Sequence, residues 1–266
     1  FPNQIEAVVV LEWAKQQNPA DSKSPYYLGN FWYNARQYDD ALANWELSAK
    51  LNERFPTVHR NLSLAWFNKL NQPQKALAAL EKAFGLDETD ARILMELDQL
   101  YKRLGYSPGF RLEILEKYPV LVDYRDDLYL ERAVLYNQLG QYEKAYTLIM
   151  ARKFHPWEGG EGKVTGQYVF SLTEMAKKAI QNREFDDAIV LLEKAQVYPE
   201  NLGEGKLYGA QENAIFYWLG NAYSEMGNNE KANQHWEKAS IGIDEPVPAI
   251  FYNDQQPDTI FYQGLA

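Results

Sequence analysis

A chain of 266 residues, 46% hydrophobic and 24% charged, is long enough for one large or two ordinary folded domains and too apolar for general disorder. A formal charge of −10 with no run of Lys or Arg makes nucleic acid and anionic membrane surfaces poor partners, since both need clustered positive charge, and the sequence predicts neither nucleic-acid binding nor a membrane span. The absence of cysteine excludes disulfides and thiolate metal sites and fits a cytoplasmic location, while no apolar run reaches the roughly 18 residues of a membrane span.

In chain order, the first predicted element is a half unit over 1–20. Residues 3–18 read as the second helix of a hairpin, with Ala7, Leu11 and Ala14 on one face. Predicted two-helix units follow at 21–56, 57–90, 91–119 and 120–151. Their second helices carry Ala41/Trp45/Ser48, Ala76/Leu80/Ala83 and Ala145/Ile149, at intervals of 34, 35 and 69 residues from Ala7 onward. The interval of 69 spans two periods, with Gly105, Tyr106 and Phe110 marking the degenerate unit between. A Gly-rich insertion over 152–168 precedes units at 169–200 and 201–241, which carry Ala188/Leu192/Ala195 and Ala232/Trp236/Ala239. A loop over 242–257 and a truncated helix over 258–266 end the chain. Both ends lack polar caps, which predicts a fragment of a longer protein.

The first helices repeat as well. Tyr27-Leu28-Gly29 with Trp32 precedes Ala41, Tyr129, Ala133 and Tyr136 precede Ala145, and Trp218-Leu219-Gly220-Asn221-Ala222-Tyr223 precedes Ala232. Small residues let paired helices approach and large ones fill the adjoining holes. Gly140 and Gly227 are expected just past helix ends in a left-handed conformation. Pro19, Pro56, Pro73, Pro119 and Pro199 are expected between helices. Phe31, Trp32, Phe216 and Trp218 are expected in the hairpin cores. These positions resemble the tetratricopeptide repeat over almost the whole chain. The resemblance implies an all-α, right-handed superhelical solenoid of tetratricopeptide-like hairpins over residues 1–266.

Two loops match in the second half. Gly160-Glu161-Gly162-Lys163 and Gly203-Glu204-Gly205-Lys206 share Gly-Glu-Gly-Lys-x-x-Gly, 43 residues apart. Equal positions in consecutive units lie side by side, so the loops are expected to be neighbours. Each is expected to run into a first helix, where free N–H groups, the helix dipole and a Lys suit an anionic or hydroxyl-rich ligand. The residues expected at such a site are His155, Trp157, Glu158, Glu161, Lys163, Glu204, Lys206, Tyr208 and Gln211. The competing reading is that the glycines serve packing and the charges pair between repeats. The pattern is not a Walker loop: Trp157 stands at its first glycine and Val164 at its Ser or Thr. The segment from His155 to Lys163 and the tail from Ile250 to Ala266 resemble one family of large bacterial proteins of unknown function. These carry an N-terminal β-sandwich similar to sugar mutarotase-like domains, followed by tetratricopeptide units. The resemblance implies that this chain is the helical part, in a sugar-related context.

Repeat positions predict an inner face of amides and tyrosines. It comprises Tyr26, Asn30, Tyr33, Asn34, Asn61 and Asn68, then Asn137 and Gln138, then Tyr217 and Asn221, groups that hydrogen-bond peptide backbones or sugar hydroxyls. The carboxylate clamp of some tetratricopeptide proteins is not met, because Tyr26 stands where it needs Lys and Leu62 where it needs Asn. His59, His155 and His235 lie in different units, too scattered for a catalytic zinc that takes three converging ligands. Glu158, Glu161 and Glu204 offer a carboxylate pair for glycoside hydrolysis only if they converge. The sequence therefore predicts no catalytic residues, no metal and no cofactor. It predicts a scaffold that binds a protein or another domain of the same polypeptide. The alternative is a part in carbohydrate binding or processing, with the two loops contributing.

Overall fold

A computed structural model describes residues 4–243, 254 and 256–266, and among these the chain is helical with no strand. The expected loop over 242–257 therefore lies mostly outside the described residues, as does part of the tail from Ile250 to Ala266. The helices group into two units. The first covers residues 1–111 and 118–124, the second residues 112–117 and 125–266.

In the first unit, α1 (Glu6–Gln17) packs on α2 (Lys23–Asn34). Then α2 pairs with α3 (Tyr38–Leu51), and α4 (Pro56–Asn68) pairs with α5 (Pro73–Leu86). They are followed by α6 (Ala91–Arg103), α7 (Pro108–Lys117) and the short α8 (Pro119–Asp123). The boundary between the units runs through α7, after Arg111. In the second unit α9 (Asp126–Gln138) pairs with α10 (Tyr142–Ala151), and α11 (Lys163–Gln181) with α12 (Phe185–Ala195). A single 3-10 turn (Glu200–Leu202) leads to α13 (Asn213–Glu225), which pairs with α14 (Asn229–Ala239) and also carries α15 (Pro257–Leu265).

Local chemistry sets the breaks between these helices. One residue with positive φ turns each hairpin: Arg36, Asn71, Gly105, Gly140, Arg183 and Gly227. Three of these are not glycine, so half of the turns carry no glycine signature. Pro56, Pro73 and Pro119 are the first residues of their helices rather than linker residues. At that position the missing N–H is no loss and the fixed φ suits the helix.

Within a hairpin, one contact is filled by complementary volumes sixteen residues apart. Gly29 faces Trp45 and Gly220 faces Trp236, and the same spacing separates Ala133 from Ile149 and Ala176 from Leu192, all four fully buried. Both indoles are held further by an asparagine one residue past the glycine. Trp45 Nε1 donates to Asn30 Oδ1 and Trp236 Nε1 to Asn221 Oδ1, each at 3.1 Å. A Cβ at Gly220 would overlap the Trp236 ring. Gly220→Ala is therefore expected to destabilise the second unit by about 1–3 kcal/mol, the usual cost of overpacking. Urea denaturation measures this, and adding Trp236→Leu should return most of the loss. Phe31 is buried in its hairpin as expected, while Trp32, Phe216 and Trp218 are half-buried.

Candidate functional site

The two matched loops meet in the second unit. Phe154 donates its backbone N–H to the Asn201 carbonyl at 2.8 Å, and the Asn201 amide donates to the carbonyls of Ile149 and Arg152, each at 3.0 Å. Gly203 has a φ of +77°, and a Cβ there would lie 2.7 Å from the Phe154 carbonyl oxygen. Two backbones touch where only glycine fits. One residue on, the Glu204 carboxylate accepts the Gly162 N–H at 2.9 and 3.1 Å, with the Thr165 hydroxyl at 3.4 Å. This places a negative charge at the start of α11, where free N–H groups and the helix dipole favour it. The anion-accepting helix end expected from the sequence is thus filled by the chain's own carboxylate.

The second loop departs from the expected pattern. Lys163 opens α11, but α13 starts at Asn213, seven residues after the matching Lys206. Lys206 donates to Glu212 at 2.6 Å and to the Gln196 carbonyl at 3.0 Å, closing its own loop. Among the other loop candidates, His155 is exposed and turned towards Asp126, which accepts its backbone N–H at 2.8 Å. Burial pushes the Asp126 carboxyl up, but the His155 N–H and the Arg152 guanidinium outweigh it and hold the group below its ordinary value. Trp157 is half-buried against Gly160, while Glu158, Glu161, Lys163 and Tyr208 are exposed.

Beside the loops lies a cavity of about 420 Å³. One face of α11 supplies Thr165 and Gly166, Val169 and Phe170, then Thr173 and Glu174, at the repeat of successive helical turns. The loop supplies Glu204, Gly205 and Leu207, with Ala210, Gln211 and Ala214 leading into α13. Asp258, Thr259 and Tyr262 of α15 form the opposite wall, and Tyr198 and Gln256 also line the space. Thr259 fastens that wall by donating to the Gln211 amide oxygen at 2.9 Å, and Tyr262 meets the Trp218 indole N–H at 3.4 Å. Phe170 is 44% exposed in this setting, and Thr173 is 7% exposed with a hydroxyl that has no hydrogen-bond partner. Burial, then the nearby Glu212 and Glu204 carboxylates, push the Tyr198 phenol up, so it keeps its proton at neutral pH as a hydrogen-bond donor.

Of the nine loop candidates the cavity brings together Glu204 and Gln211; the others lie outside its lining. The amide row also differs from expectation. Asn30 and Asn137 are buried, and their carbonyl oxygens tie neighbouring helices together. Asn61 Nδ2 reaches Asn30 at 2.9 Å, while Ser171 Oγ donates to Asn137 at 3.0 Å and Asn137 donates to Gln167 at 2.9 Å. Asn221 holds Trp236. Tyr26, Tyr33 and Tyr217 engage aromatic neighbours: Phe55, Trp45 and Tyr262 respectively. Asn34, Asn68 and Gln138 are exposed. A shallower space of about 380 Å³ in the first unit, lined by His59, Leu62, Trp66, Lys75 and Lys82 among others, includes none of these groove candidates. What sequence reasoning missed is the face of α11. Its signal was present: α11 has 19 residues against 13 in α9 and α13, and it sets Val169 and Phe170 on a face that also carries Thr165 and Thr173.

No known family profile matches the chain. Solved structures do. The Naa15/Naa10 complex bound to HypK-THB aligns with 86% of this chain and 33% of its own, at 12% identity and a TM-score of 0.56. The chain therefore spans about a third of that relative. A tetratricopeptide repeat protein from Parabacteroides merdae is 15% identical, over 98% of this chain and 91% of that one, with a TM-score of 0.48. YrrB, a TPR protein with an unusual peptide-binding site, is 16% identical over 86% and 90%, with a TM-score of 0.47. The chain folds as successive α-helical hairpins, the all-α class expected from the sequence. No described helix is long and apolar enough to cross a membrane.

Proposed function

We propose that this chain is a protein-interaction module and that its second unit receives a polypeptide segment in the cavity between α11, α13 and α15. The observation that supports this most is Phe170, a large ring left 44% exposed beside Val169 and Leu207. An apolar floor with a few placed polar groups is the usual make-up of a binding cavity. Here Tyr198 and Gln211 are polar groups suited to the N–H and C=O groups of an extended chain. The partner is a separate protein or another domain of the same polypeptide.

A carbohydrate-handling reading gains less from this geometry. The loop carboxylates Glu158 and Glu161 are exposed outside the cavity, and Glu204 is bound to Gly162. The sugar-related context comes from the family resemblance alone.

Selection from a random twelve-residue peptide library displayed on phage tests the module reading. Phe170→Asp is expected to weaken the selected peptides at least about tenfold, since truncating a central aromatic anchor typically removes 2 kcal/mol or more. Circular dichroism of the Phe170→Asp protein is expected to keep its helical signal, because the half-exposed ring is not among the buried core residues. No enrichment, or peptides indifferent to Phe170→Asp, would contradict the assignment.

A further inference from the structure

The cavity has a marked charge bias. Its lining includes the carboxylates of Glu174, Glu204, Asp254 and Asp258, and no Lys, Arg or His among the described residues. Glu204 is engaged by the Gly162 N–H and Glu174 by Lys177 at 2.6 Å. Lys177 lies outside the lining, 5.3 Å from the Trp218 ring centroid. Asp258 is exposed in the first turn of α15. The carboxylates surround an apolar strip of Val169, Phe170 and Leu207. Clefts lined by one sign of charge over low-dielectric walls concentrate counter-charge.

Thr173 and Glu174 continue the same wall along α11. The Thr173 hydroxyl is closed to solvent, so the polar groups this wall offers a visitor are carboxylates.

Resting on the peptide-binding reading above, we infer that the segment received by this cavity presents an arginine or lysine side chain to it. The methylene stem lies along Val169 and Phe170, and the cationic head reaches the carboxylates of Glu174 and Asp258. Long cationic side chains bury their stems on apolar surface in this way while keeping the charge solvated or paired. The half-exposed Phe170 ring adds a face on which a guanidinium stacks favourably. An anionic ligand, such as the matched glycine loops would suggest, meets like charge here.

The peptides selected above supply the probe. Fluorescein-labelled copies are titrated by fluorescence anisotropy, with the basic residue kept or replaced by citrulline for Arg and norleucine for Lys. A basic residue is expected at one fixed position of the selected set. Its neutral replacement should weaken binding about tenfold, the scale of one charge-assisted hydrogen bond. Asp258→Asn should weaken the basic peptide several-fold and leave the neutral peptide unchanged, and raising the salt should act likewise. Selected peptides that depend on Phe170 but are neutral or acidic would overturn the cationic assignment while leaving the cavity as the binding site. Peptides indifferent to both Phe170→Asp and Asp258→Asn would overturn both.

Discussion

Asp98→Ala is expected to cost the first unit about 3–5 kcal/mol, the penalty for leaving a buried charge without its partner. Asp98 is 2% exposed on α6, on the same stripe as Leu94, Leu97 and Tyr101. It accepts two bonds from the Arg111 guanidinium of α7, at 3.0 and 2.6 Å, and Arg111 is equally buried. Two-pronged pairing of this kind satisfies most of the donors and acceptors that burial removes from water. Removing the carboxylate takes the two-pronged partner from a buried guanidinium that cannot lose its proton. Replacing both residues, with Asp98→Leu and Arg111→Met, should restore most of the stability, because the buried pair is compared with a packed apolar one. Urea denaturation read by tryptophan fluorescence measures the three proteins. An Asp98→Ala protein within about 1 kcal/mol of the parent would show that the pair is not holding the unit together.

The second large effect is predicted in the matched loops, where alike glycines have different duties. Gly203→Ala is expected to destabilise the second unit by about 2–4 kcal/mol. The new side chain must adopt a φ of +77°, which costs about 1–2 kcal/mol for a non-glycine residue, and its Cβ would press on the Phe154 carbonyl oxygen at 2.7 Å. The neighbour is backbone, so it has little room to yield. Gly205→Ala, two residues away in the same motif, meets nothing within 4 Å at an ordinary φ and should be neutral or slightly stabilising. Thermal unfolding of the two variants separates these duties. Equal effects would mean that the loop contact between Gly203 and Phe154 is not a constraint in solution. Because Glu204 follows directly, Gly203→Ala should also loosen the carboxylate from Gly162 and weaken peptide binding.

The hairpins were legible because five of the six reuse the same small-and-large pattern, and Trp45 and Trp236 stand out against small residues. Half of the turns were not legible as glycine turns, since Arg36, Asn71 and Arg183 adopt the left-handed conformation without being glycine. The five-residue α8 is too short to show a helical period. The adjacency of the two Gly-Glu-Gly-Lys loops followed from the period of the repeat. The duties within them did not: matched residues diverge, with Lys163 opening a helix and Lys206 closing a loop. The amides at Asn30 and Asn137 carry the same letters whether they face a ligand or a neighbouring helix, and only the packing distinguishes these. Phe170 was overlooked for a related reason. An apolar residue on a helix reads as core, and the cavity that Phe170 lines is completed by α15, far along the chain.

The central claim is that the cavity beside the matched loops is where a partner polypeptide binds. Backbone and methyl NMR shifts of the full chain, titrated with a selected Arg- or Lys-containing peptide, test it most directly. The account predicts the largest changes at Val169, Thr173, Leu207 and Thr259, with the space around His59 and Trp66 in the first unit unmoved. Saturable changes centred on that first-unit space, with the α11 face silent, would contradict it.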